Sequence, residues 1–173
     1  ALLLGHHASD LAETVLKRVL EGASLPYLGG MDALGIWEGM PIWRPLLFSP
    51  RKEILAFLEE KKLSFCQDAT NKDPRYLRAK MRESILPTLA SLFGKEIEEN
   101  LAILGKRAAE YRGYLDRRVA SCRPIEGPWG EFYHLSDRER VEARHLLQQE
   151  LRKRKISWPR ESIEKALDAI FSG

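Results

Sequence analysis

Cysteine is scarce: Cys66 and Cys122 are the two in 173 residues, far apart and without Cys-x-x-Cys spacing. A disulfide framework and a thiolate zinc site are therefore not expected, and a reducing cytoplasm fits. No apolar run approaches the roughly 20 residues that cross a bilayer, and no secretory pattern opens the chain, so no membrane partner is expected. Internal repeats and low-complexity tracts are also missing, which excludes solenoids and disordered tails. Neither sign of charge dominates, with a formal net of +3. The excess lies in residues 101–173, with 15 Lys/Arg against 11 Asp/Glu, whereas residues 1–100 carry 13 against 14. That balance permits phosphate contacts with a nucleic acid without demanding them. What remains is an ordinary globular composition, 44% hydrophobic and 31% charged, long enough for one or two small domains.

The most informative stretch runs from Gly5 to Leu20, GHHASDLAETVLKRVL. Ala1–Leu4 reads as a short buried strand, and Gly5 lets its end turn. Ser9 is the expected N-cap of a helix whose Leu11, Val15 and Val19 form a core stripe. Asp10, Glu13 and Lys17 fall together on another side. His6 and His7 thus stand at a strand's carboxyl end beside two carboxylates in the first helical turn, where open α/β sheets bind small ligands. First-turn acids also stabilise the helix dipole with no further role. His-His-x-x-Asp-x-x-Glu could ligate a metal, but without a Cys partner or an His-Glu-x-x-His pattern no metal is expected. An apolar strand at the very start belongs inside a covered parallel sheet. The expectation is therefore that other strands precede Ala1 in a longer protein.

Gly22 suits a helix C-terminal cap, and Ala23–Leu34, with Pro26 and Gly29-Gly30, reads as a surface loop. Gly35–Glu38 and Pro41–Trp43 are expected strands around a Gly39-Met40 turn. Ser49-Pro50 opens a helix to Lys61 that buries Ile54, Leu55, Phe57 and Leu58. Phe65-Cys66 is a brief final strand. Turn chemistry at 68–74 sets the expected boundary between residues 1–70 and 74–173. Asp73-Pro74 then opens a helix carrying Arg75, Arg78 and Arg82 on one stripe, kinked or ended at Pro87. A long helix follows to about Ala120 with a seam of Ile97, Leu101, Leu104, Ala108, Tyr111 and Leu115. Arg123–Gly130 is a loop and Phe132–Leu135 a short extended piece. Ser136-x-x-Glu139 is a capping box for a helix burying Val141, Leu147 and Leu151. The run Arg152-Lys153-Arg154-Lys155 suits that helix's negative end or an RNA contact. A last helix buries Ile163, Leu167 and Ile170.

Taken in order, Gly5-His6-His7-x-x-Asp10-x-x-Glu13-Thr14, Gly22 and Leu28-x-Gly30-Met31 resemble a motif region of the tRNA(Ile)-lysidine synthetases. Arg44-Pro45-Leu46-Leu47, Asp68-x-Thr70-Asn71 and Arg78-x-x-x-Arg82 before Ile85-Leu86-Pro87 are similar to that family's next landmarks. The resemblance covers about residues 1–93. It implies the carboxyl-terminal part of a Rossmann-like parallel-sheet domain of the PP-loop ATP pyrophosphatases over 1–70. An all-α, tRNA-binding accessory domain would follow over 74–173.

The activity implied is ATP-dependent ligation of L-lysine to the wobble cytidine of tRNA(Ile) with a CAU anticodon, through an adenylated intermediate. The cofactors implied are ATP with Mg2+, the partners that tRNA and L-lysine, and the compartment the cytoplasm; a homodimer is allowed. By the same resemblance, His7, Asp10 and Glu13 are the catalytic candidates, with Asp10 and Glu13 holding lysine. Arg44, Asn71, Arg78 and Arg82 would hold ATP phosphates or tRNA. Three departures from the family pattern stand out. Ser9-Asp10-Leu11 replaces Asp-Asp-Gln, Ala79 replaces an asparagine, and Glu21 stands where an arginine is common before Gly22. The phosphate-cradling Ser-Gly-Gly-x-Asp-Ser loop is absent, so this chain alone is expected not to adenylate. The alternatives are another PP-loop tRNA enzyme, such as a thiolation enzyme, or a non-catalytic tRNA-binding module.

Overall fold

The computed structural model describes residues 1–66, 73, 75–135 and 137–172. Asn71, the other landmarks between 68 and 72, and Ser136 lie outside the described residues. The chain divides into two compact units, Ala1–Glu110 and Tyr111–Gly173.

In the first unit, strand β1 (Leu2–Leu3) pairs in parallel with β3 (Met40–Trp43), which pairs antiparallel with β2 (Leu34–Trp37). The order is β1-β3-β2, so this small sheet is mixed. The β2–β3 turn centres on Glu38 and Gly39, both at positive φ, as a two-residue hairpin of the right twist requires. It sits one residue earlier than the expected Gly39-Met40. β1 was expected to be buried, yet Leu2 and Leu3 are exposed, because no described residue covers this end of the sheet.

Helix α1 (Ala8–Leu20) follows directly. Its N-cap is His7, not Ser9, which is instead buried in the first turn. Asp10 accepts the His7 backbone N–H at 3.0 Å, which fixes the entry angle. At the other end Gly22, at φ 66, closes a Schellman turn in which Ala23 N–H donates to the Arg18 carbonyl at 2.8 Å. Leu11 and Val15 bury as their spacing predicts, against Leu47 with Leu101, Ala102 and Leu104 around them. The segment after α1 is not the surface loop expected. Pro26, Tyr27, Leu28 and Gly29 are buried, Leu25–Tyr27 forming a 3₁₀ turn. A Cβ on Gly29 would come within 2.7 Å of the Gly105 carbonyl, so only glycine permits this approach.

Helix α2 (Arg51–Glu60) forms, but none of its residues is buried. Ile54 and Leu58 are half-buried and Leu55 and Phe57 exposed, so its apolar stripe has no cover among the described residues. Phe65 and Cys66 form no strand and are exposed.

The next helical run starts at Leu77, later than Asp73-Pro74. It comprises α3 (Leu77–Lys80), a π-helical turn (Met81–Ile85) and α4 (Leu86–Phe93). Pro87 gives the widened turn its cause. It has no N–H for an i→i−4 bond, and its ring would crowd the Glu83 carbonyl in a regular helix. Helix α5 (Ile97–Val119) is the long helix expected.

In the second unit, β4 (Ile125–Gly127) and β5 (Gly130–Phe132) form a hairpin where a loop was expected, so this part is not all-α. Helix α6 (Arg140–Lys153) is capped by Glu139 rather than Ser136, with Glu142 accepting the Glu139 N–H at 3.3 Å. Helix α7 (Arg160–Phe171) packs Ile163 and Leu167 on Ala143, whereas Ile170 is exposed. Arg144 and Arg140 both bond Glu164, which holds its carboxyl at about 2 and ties α6 to α7. Asp116 accepts bonds from Gln149 at 2.5 Å and lies 2.7 Å from Nε2 of the buried His145.

Candidate functional site

The first turn of α1 gathers the charged residues that the sequence singles out. Its amino end is fixed twice, by His7 in extended backbone at φ −129 and by Ala8 N–H donating to the Ser49 carbonyl at 3.1 Å. The second bond ties α1 to the Arg44–Ser49 turn. Asp10 and Glu13, one helical turn apart, then face the π turn, which presents Arg82 to both.

Arg82 Nε donates to Glu13 Oε1 at 2.8 Å, and its terminal nitrogen lies 2.7 Å from the same oxygen and 3.4 Å from Asp10 Oδ1. Glu13 is 1% exposed, so this is a buried carboxylate held by one guanidinium. Burial pushes the Glu13 pKa up, and the Arg82 bond and charge offset only part of that. His7 sits with Nε2 3.5 Å from Asp10 Oδ2. Burial lowers its pKa below 6.5, with Arg82 and Arg51 adding to the fall and Asp10 opposing it. At neutral pH its ring is therefore a free base. Two buried atoms have no hydrogen-bond partner among the described residues, His7 Nδ1 and Glu13 Oε2. Leaving such an atom unpaired costs about 1–3 kcal/mol, so each calls for a partner such as a water, an ion or a ligand.

Of the other expected site residues, Arg78 is exposed on the rim and acts on Glu13 only through its charge. Arg44 is engaged elsewhere: its Nε donates to His6 Nδ1 at 3.2 Å and a terminal nitrogen to the Asp32 carbonyl at 2.9 Å. It pins the 30s loop to the strand end and does not join the carboxylates. Lys17, expected beside Asp10 and Glu13, pairs instead with Glu21 in solvent. A cavity of about 560 Å³ opens beside the same helical turn, with Ala8, Ser9, Arg51, Leu86 and Glu98 on its wall. Among the described residues no group of three His, Cys, Asp or Glu side chains is placed to hold a metal ion.

The model of the PP-loop domain matches residues 1–89, the α1 site and the π turn included. The chain belongs to the PP-loop family. It is also similar to curated relatives named tRNA(Ile)-lysidine synthase. The protein from Chlamydia muridarum is 47% identical over 133 residues, 76% of this chain and 41% of that protein. Those from Chlamydia trachomatis serovar L2 and Chlamydia caviae are each 45% identical, over 69% and 68% of this chain and 37% of theirs. This PP-loop chain thus spans about two-fifths of the length of the curated relatives that it matches. No helix among its described residues is long and apolar enough to cross a membrane.

Proposed function

We propose that this chain is the lysine-holding part of a tRNA(Ile)-lysidine synthase, which joins L-lysine to the wobble cytidine of tRNA(Ile) bearing CAU after ATP has adenylated that base. The observation that carries the reading is the buried Glu13 carboxylate with one oxygen bonded to Arg82 and the other vacant. With His7 neutral, Asp10, Glu13 and Arg82 sum to one negative charge. A single ammonium completes the site, and lysine carries one at the end of an apolar stem. His7 then stands ready to take the proton that the attacking amine must lose. Exposed Arg78 is suited to a phosphate, of ATP or of the tRNA backbone.

On this reading residues 1–70 belong to the carboxyl-terminal part of a Rossmann-like domain and 74–173 to an accessory domain that binds the tRNA, with the stretch up to Glu110 packed in the first compact unit. ATP follows from the PP-loop membership. A magnesium ion would have to come with the nucleotide. Asp10 and Glu13 already face a guanidinium, whereas magnesium asks for an octahedral shell of oxygens, so these residues do not fit a resident ion. The scarcity of cysteine fits a reducing compartment such as the cytoplasm. Cys66 and Cys122 stand far apart in the sequence without Cys-x-x-Cys spacing, so sulfur transfer gains no support from them.

Asp10→Asn tests the reading. In the full-length enzyme that contains this chain, steady-state formation of lysidine on a CAU-anticodon transcript should lose 10- to 150-fold in kcat/KM for lysine, with the KM for ATP within about twofold. That range corresponds to roughly 1.5–3 kcal/mol for one charge-assisted contact. Equal losses for lysine and ATP would move Asp10 out of the lysine site.

A further inference from the structure

The β4–β5 hairpin of the second unit exposes a tryptophan in a way that its own fold does not explain. Gly127 pairs with Gly130, so the turn is Pro128-Trp129, with proline fixing its first corner. Trp129, at the second corner, is 92% exposed, the highest value among the large hydrophobic residues described. Tryptophan is a highly buried residue on average, and a whole indole left in water is a standing cost unless a partner covers it.

The surroundings say what kind of partner. Glu126 and Glu131 are cross-strand neighbours and so share one face of the hairpin. Glu131 forms an ion pair with Arg154, which brings that acidic face to the basic end of α6. Two cations flank the hairpin without an anionic partner among the described residues. Arg123 is two residues before β4, and Lys155 follows Arg154, at positive φ just past α6; both are exposed. The second unit as a whole has 13 Lys/Arg against 10 Asp/Glu, whereas the first has 15 of each. All of the chain's positive excess is on the unit with the bare indole. An uncovered aromatic ring on an element that also carries exposed cations is the kind of surface by which proteins hold an unstacked nucleobase and its flanking phosphates.

We infer that Trp129 is a stacking platform for an unpaired base in a loop of a structured RNA, with Arg123 and Lys155 contacting the phosphates on either side. The inference rests on the tRNA reading above and adds a contact to it outside the α1 site.

The test titrates the full chain with a CAU-anticodon tRNA transcript. Binding should quench Trp fluorescence in the wild-type protein and less in Trp129→Phe, which leaves three other tryptophans. Trp129→Leu keeps an apolar side chain but removes the stacking face, and should weaken binding about 5- to 100-fold. Trp129→Phe should stay within several-fold of wild type. Arg123→Ala with Lys155→Ala should flatten the dependence of log K on log salt by about 1.4, as loss of two single-strand phosphate contacts predicts. Wild-type affinity in Trp129→Leu, or no RNA binding by the chain, overturns the inference. So does self-association that disappears in Trp129→Leu while RNA affinity is unchanged, since the indole would then face a second copy. Trp129-dependent binding by a full-length enzyme that incorporates no lysine would leave this contact standing and remove the lysidine reading. Lysine incorporation with unchanged binding in Trp129→Leu would do the reverse.

Discussion

Arg82→Ala is expected to destabilise the protein by about 3–5 kcal/mol, the usual consequence of removing one partner of a buried ion pair. Glu13 is 1% exposed, and Arg82 supplies the only hydrogen bonds to its carboxylate among the described residues. Without the guanidinium, burial and the Asp10 charge are opposed only by Arg78, and Glu13 is driven further towards its protonated form. The pH dependence follows from that direction. A carboxyl whose folded pKa lies above its ordinary 4.5 binds its proton more tightly when folded. Acidification through the raised pKa towards 4.5 therefore favours the folded state, and the deficit of the variant should shrink in that window. Urea unfolding at pH 7 and pH 5 checks both points. A second variant separates lost charge from lost packing. Glu13→Leu combined with Arg82→Met should recover most of the stability, because apolar replacement of a buried pair is often neutral. A deficit as large in the double variant as in Arg82→Ala would mean that shape, not charge, holds the site together.

Leu47→Ala should cost about 2–5 kcal/mol although Leu47 lies in no helix or strand. It is fully buried against Leu11 and Val15. The Arg44–Ser49 turn is closed by Ser49 N–H bonding the Leu46 carbonyl at 2.9 Å, and the Ser49 carbonyl receives the first N–H of α1. A cavity at Leu47 therefore loosens the element that aims Asp10 and Glu13. Thermal unfolding should report the loss. Phe48, the next residue and 53% exposed, provides the contrast, since Phe48→Ala should change stability by well under half as much. Equal effects at the two positions would show that the turn is not anchored through Leu47.

The elements whose periodicity is local were legible in the sequence. α1 with its Leu11–Val15 stripe, the Gly22 cap, the β2–β3 hairpin and the long α5 follow from spacing and turn chemistry within a few residues. What escaped depended on residues distant along the chain. Arg82 reads as a phosphate ligand on a basic stripe. That it meets Glu13, far away in sequence, is decided by a π turn whose one local signal is Pro87. The burial of 26–29 depends on Gly29 meeting Gly105, which no nearby pattern announces. His7 displaced Ser9 as the cap because Asp10, three residues on, answers the His7 backbone N–H. The exposed faces of β1 and α2 are apolar runs correctly read as strand and helix, but their cover is not among the described residues. The hairpin at 125–132 was hidden by two prolines and two glycines, which look like a loop until Gly127 and Gly130 are paired.

The Glu13 oxygen left unbonded by Arg82 should receive the ammonium of lysine. Calorimetric titration of the protein with L-lysine and with L-norleucine, which has the same carbon chain without the ε-amine, tests it most directly. Lysine should bind at least 10-fold more tightly, in line with roughly 1.5–3 kcal/mol for a charge-assisted contact, and Glu13→Gln should abolish the difference. Equal binding of the two amino acids, or a preference for lysine that survives Glu13→Gln, would contradict it.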